Sequence, residues 1–115
     1  MQSVSWNQPL RAAFSRMLLQ VAVMISQLSM PEISRFFGIV IAIYYKEHGV
    51  PHFHAKYAGQ TGVFSIVDLN LIEGRLPKRV VALVLEWAFE HRSELMENWQ
   101  HAVAQEPLQP IAPLE

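Results

Sequence analysis

The run Gly38-Ile39-Val40-Ile41-Ala42-Ile43-Tyr44-Tyr45 limits what this chain can become more than any other stretch. It is β-branched and aromatic, too short and too stiff at χ1 for a helix, and it reads as a strand. Side chains alternate across a strand, so Ile39, Ile41 and Ile43 share one face while Val40, Ala42 and Tyr44 share the other. Both faces are apolar, and a single helix covers only one. The second face has to meet the C-terminal tail, an N-terminal helix, another subunit or a partner protein.

The segments that follow supply neighbours for this strand. His48-Gly49-Val50-Pro51 turns the chain, and Pro51 suits the start of a strand because it has no N–H for the ladder. His52 to Tyr57 alternates polar and apolar residues, Ala58-Gly59-Gln60-Thr61-Gly62 holds the glycines of a hairpin, and Val63 to Val67 reads as the next strand. Leu69 to Glu73 is a candidate fourth. Pro77 then opens a helix, where a missing N–H costs nothing. Its stripe Val80, Val84, Trp87, Ala88, His91, Leu95 and Trp99 advances in threes and fours until Pro107 forbids continuation. Glu86, Glu90, Glu94 and Glu97 form the opposite, solvated face, and the proline-rich tail from Pro107 is expected to lie extended along the domain. The expected architecture is α+β: a small antiparallel meander of three to four strands with one long C-terminal helix packed on one face.

The first 29 residues differ in kind. They carry no acid and only Arg11 and Arg16, giving +2 against −3 for the rest of the 115-residue chain. Phe14, Met17, Leu18, Val21, Ile25 and Leu28 follow helical spacing, so an amphipathic helix is expected there. Gln20 interrupts the apolar run, which fits neither a secretory signal nor a bilayer span.

Composition narrows the chemistry. A chain 51% hydrophobic and 17% charged buries a modest core. A net charge of −1 argues against wholesale phosphate neutralisation, so nucleic acid would need a local basic patch. The absence of cysteine removes disulfides, thiolate metal sites and cysteine nucleophiles, and fits a cytoplasmic protein.

The candidate site is Gly49-Val50-Pro51-His52-Phe53-His54-Ala55-Lys56-Tyr57. Strand alternation gives Phe53, Ala55 and Tyr57 to the core and His52, His54 and Lys56 to the opposite face, with the two histidines about 7 Å apart at Cα. Three readings compete for the pair. The first is a polar outer face with local hydrogen bonds. The second is a metal site, which needs a third ligand; Glu47 and His48 are near in sequence, but nothing there fixes them in range. The third is acid–base or phosphate chemistry by His52 and His54, with Lys56, Arg75, Lys78 and Arg79 as anion contacts. Basic residues in a first helical turn oppose the macrodipole, which an anion bound there, or plain exposure to water, would relieve. His91, on the apolar stripe, is expected to be buried on one carbonyl, and His101 to sit at the helix end. No cofactor is predicted apart from the divalent metal left open at His52 and His54.

Several separate motifs carry a resemblance. Met30-Pro31-Glu32-Ile33-Ser34-Arg35-Phe36-Phe37-Gly38-Ile39, Pro51-His52-Phe53-His54, Glu73-Gly74-Arg75-Leu76-Pro77, Leu85-Glu86-Trp87 and Asn98-Trp99 resemble the small bacterial domain-of-unknown-function family 4160 across 30–115. Members of that family typically begin with Met-Pro at the position of Met30, so the resemblance implies that residues 1–29 are an extension, with an upstream mis-assigned start as one explanation. It implies no activity. It does imply a genomic habit: such genes sit beside a second small family of unknown function, 2442, in an arrangement similar to toxin–antitoxin pairs. The expected function is therefore a component of a two-gene bacterial module acting through a protein partner, with RNA as an optional further contact. The alternatives are a small nuclease or phosphate-directed hydrolase using His52 and His54, and a metal-binding module. A homo-oligomer is a further partner option, and no membrane is expected.

Overall fold

The computed structural model describes residues 16–18, 21, 31–45 and 47–115. Five strands form one antiparallel meander in sequence order: β1 (Glu32–Phe36), β2 (Ile39–Ala42), β3 (His52–Tyr57), β4 (Gln60–Ser65) and β5 (Leu71–Gly74). Two helices follow, α1 (Lys78–Glu90) and α2 (Arg92–Val103). The α+β class and the meander agree with the sequence reading, while the strand count is five rather than three to four.

The additional strand is β1. Its turn to β2 is Phe37-Gly38, both at positive φ (50° and 77°), the backbone of a tight two-residue hairpin. Phenylalanine at such a position is uncommon, so the turn lacks the Asn-Gly or Asp-Gly signal that marks hairpins in a sequence. Ala58-Gly59 closes the β3–β4 hairpin in the same way, at 47° and 79°. That register sets Phe53 opposite Phe64, Ala55 opposite Gly62 and His54 opposite Val63.

The expected single helix is two. His91 (φ −117°, ψ 23°) leaves helical geometry between α1 and α2, although its N–H still donates to Trp87 O and Ala88 O at 3.1 and 3.2 Å. No proline or glycine marks the break, which is why side-chain periodicity ran straight through it. The C-terminal end of α2 lies against the β2–β3 connection, where Val103 and Gln105 line a cavity of about 360 Å³ with Tyr45, Glu47 and His48.

One sheet face carries the core. Ile39, Ile41, Phe53 and Phe64 are fully buried, as are Val84, Trp87 and Ala88 of α1. Phe53 stacks on Phe64 with centroids 5.3 Å apart and meets the Trp87 ring at 6.0 Å. Each such large side chain contributes about 2–3 kcal/mol through removal of apolar surface from water. The extended tail serves this same side. Trp87 Nε1–H donates to Ala112 O (2.8 Å), Ile111 N–H to Ile33 O (2.7 Å), and Asn98 exchanges two bonds with the Gln109 backbone. The tail thus runs along the edge at β1 instead of covering the second face of β2.

On that second face Ala42 is fully buried and Tyr44 half-buried. Tyr44 meets the His54 ring edge-on at 4.7 Å and lies under the Lys56 ammonium, 5.5 Å from the ring centroid. Aromatic and cationic side chains of the sheet itself therefore cover part of it. Of the expected N-terminal helix, residues 16–18 and 21 are helical, and the remainder lies outside the described residues.

Candidate functional site

β3 begins directly after Pro51, and its period of two sends His52, His54 and Lys56 to the side opposite Phe53. His54 is half-buried. His52 is not on a polar outer surface, as its spacing alone suggested: it is only 8% exposed, with its ring 4.9 Å from that of Trp99 on α2. A covering aromatic from a distant helix cannot be read from strand alternation. The two imidazoles approach each other with centroids 5.4 Å apart.

The third member is Glu47, from the β2–β3 connection. Its Oε1 lies 2.8 Å from His54 Nε2 and its Oε2 lies 3.3 Å from His52 Nε2. One carboxylate therefore faces two imidazoles, and the donor atoms of all three residues fall within 4.8 Å of one another. This corrects the expectation that nothing holds Glu47 in range. The connection is tied to β3 through Val50 O, which accepts from the His52 ring at 2.7 Å, and through Glu47 itself, and Tyr45 of the same connection is buried. The one available signal was that Glu47 and His54 lie seven residues apart across a turn.

Protonation follows from the partners. His52 Nδ1 is 2.7 Å from Val50 O. A carbonyl only accepts, so Nδ1 carries a hydrogen, and the Nε2 of a neutral His52 presents its lone pair to the Glu47 carboxylate. His54 Nε2–H donates to Glu47 Oε1. Burial holds the His54 pKa below the ordinary 6.5; the Glu47 hydrogen bond and charge pull upward, while His52 and Lys56 add to the depression. Two chemistries are open to this arrangement. A carboxylate orienting a neutral imidazole can move a proton, and three convergent N and O donors can hold a cation.

The other expected site residues fall in different places. Lys56 belongs to the cluster's surroundings, on the same face of β3. Arg75, Lys78 and Arg79 are exposed at the β5–α1 junction, and among the described residues none is hydrogen-bonded or ion-paired to the histidines. Glu73 on β5 is level with His54 but two strands away, about 10 Å across the sheet. His91 is half-buried and bonded to the Glu94 carboxylate at 2.6 Å, not to a carbonyl, because the helix break frees its side chain to reach the next turn. His101 pairs with Glu106 at 3.0 Å near the end of α2. Glu86, Glu90, Glu94 and Glu97 are exposed, as their helical face predicts.

No helix among the described residues is long and apolar enough to cross a membrane. Comparison with curated proteins and with solved structures finds no match. The family model described as "Domain of unknown function (DUF4160)" matches residues 38–100, a segment that runs from β2 through the Glu47, His52 and His54 cluster into α2 and leaves the N-terminal residues outside. The chain belongs to this family.

Proposed function

We propose that this domain hydrolyses a phosphate-bearing substrate, RNA in the first instance, at Glu47, His52 and His54, and that it works as one component of a two-gene module with a protein partner. The observation that carries the hydrolytic part is the convergence of two imidazole Nε2 atoms on one carboxylate, at 2.8 and 3.3 Å. Hydrolysis needs a group that takes a proton from water or a hydroxyl and another that stabilises the resulting charge, and this cluster contains both kinds. Lys56, next along the same face, supplies a cation for the anionic substrate. Arg75, Lys78 and Arg79 are remote contacts for a long polyanion on this reading, outside the reacting centre.

The partner half of the proposal draws on the family's gene arrangement and on surface character. Phe89 on α1 is 75% exposed and Ile72 on the edge strand β5 is 47% exposed, apolar positions suited to a protein partner. The test is to express the chain with and without the neighbouring gene, scoring growth arrest, RNA integrity and co-purification. Arrest or RNA cleavage that disappears in His54→Ala and Glu47→Gln, with the partner still retained, supports the reading. Intact RNA and unaffected growth with wild-type protein would refute hydrolysis, and failure to co-purify would refute the partner.

A further inference from the structure

We infer that Glu47, His52 and His54 form a binding site for a divalent transition-metal ion, zinc foremost, with His52 Nε2, His54 Nε2 and a Glu47 carboxylate oxygen as its protein ligands. The inference rests on the same three residues as the hydrolytic reading and assigns them a cofactor.

Three features of the geometry lead here. The first is the lone pair of His52. With Nδ1–H committed to Val50 O at 2.7 Å, the Nε2 of a neutral His52 points an acceptor at Glu47 Oε2, another acceptor, only 3.3 Å away. Something positive belongs between them. A metal-binding histidine characteristically donates its other ring N–H to a carbonyl or carboxylate, which fixes the tautomer, and His52 is already so fixed.

The second feature is spacing. Ligands at about 2.0–2.2 Å from a tetrahedral ion are about 3.4 Å from each other. The three donor atoms here fall within 4.8 Å of one another, so side-chain adjustments of about an ångström close the set around an ion, the His54 Nε2 proton passing to Nδ1 of the same ring as the ion takes its place beside Glu47. The third is the wall around the site. Trp99 packs on His52 and Tyr44 on His54, excluding water from two sides. Two imidazoles and one carboxylate with an open position form the ligand set of a catalytic ion, whose bound water becomes the nucleophile. The two other histidine–glutamate pairs, His91 with Glu94 and His101 with Glu106, have one imidazole each and serve as internal controls.

The experiment is isothermal titration of untagged, chelator-stripped full-length protein with Zn²⁺, together with the visible spectrum of the Co²⁺ form. The expected result is one ion per chain and cobalt bands of a four-coordinate N/O site. Glu47→Gln and His52→Ala should each weaken binding at least about 100-fold, since even losing a second-shell partner costs about 10–100-fold, while His91→Ala leaves it unchanged. Glu47→Gln preserves size on a surface connection, so it reports on the ion even if His52→Ala disturbs packing under Trp99. No binding by wild type, or equal binding by Glu47→Gln, overturns the inference, the cation between the acceptors then being a proton. RNA hydrolysis measured in parallel separates the two ideas. Hydrolysis undiminished by EDTA with no ion bound overturns the metal and leaves the hydrolytic reading standing; one ion bound without hydrolysis does the reverse.

Discussion

Gly59→Ala and Gly74→Ala, made side by side, test whether the β4–β5 pairing is as tight as the structure has it. Both glycines occupy the left-handed region, at φ +79° and +83°, so an added methyl costs each about 1 kcal/mol in backbone conformation. The surroundings differ. Among the described residues nothing lies within 4 Å of a Cβ at Gly59, whereas a Cβ at Gly74 overlaps the Thr61 carbonyl oxygen and falls 3.1 Å from its carbon and 3.2 Å from Gly62 Cα. These are backbone atoms that no rotamer change moves. Relief requires β5 to part from β4, weakening the Arg75 N–H to Thr61 O bond (3.3 Å) and the pairing of Gly62 with Gly74. At about 1 kcal/mol for each hydrogen bond and about 1 kcal/mol for angular distortion, the total for Gly74→Ala is about 3–4 kcal/mol, against about 1 for Gly59→Ala. Urea denaturation followed by circular dichroism measures both, with m expected to hold constant. Equal destabilisation of the two variants, within about 0.5 kcal/mol, would refute the close approach.

Three further outcomes are expected. Asn98→Ala leaves the Gln109 N–H and C=O without their partners at 2.7 and 2.8 Å, and should cost about 2–3 kcal/mol while increasing proteolysis of the tail beyond Pro107. Ser34 Oγ is buried with no hydrogen-bond partner among the described residues, so Ser34→Ala should stabilise the protein by up to about 1 kcal/mol, read from the shift in urea midpoint. In EDTA, His54 binds its proton at lower pH in the folded than in the unfolded chain, since burial depresses it from 6.5. Stability should therefore fall as pH drops below that value and level off once pH passes under the folded pKa; His54→Gln should flatten this part of the profile in pH-dependent denaturation.

The strand at Ile39 to Ala42, the alternation of His52 to Tyr57 and the helical stripe from Val80 to Trp99 were all legible because each expresses a local periodicity. β1 was not, because its hairpin sets a phenylalanine at positive φ before Gly38, where an Asn or Asp would have announced the turn. The helix break at His91 was hidden for a related reason: the apolar spacing continues across it, so only the separate packing of α1 and α2 reveals it.

The candidate site divides along the same line. Adjacency on one strand face was enough to bring His52, His54 and Lys56 together, since a period of two depends on covalent geometry alone. Whether the basic turn at Arg75 to Arg79 joins them depends on strand order, and β4 and β5 intervene. Glu47 comes to His52 through the path of the short β2–β3 connection, and Trp99 through packing of the end of α2, a segment distant along the chain. By itself the sequence determined which imidazoles share a face. Only the tertiary structure decided that they share a carboxylate, because side-chain direction is a local property while proximity across a loop is set by the packing of the whole domain.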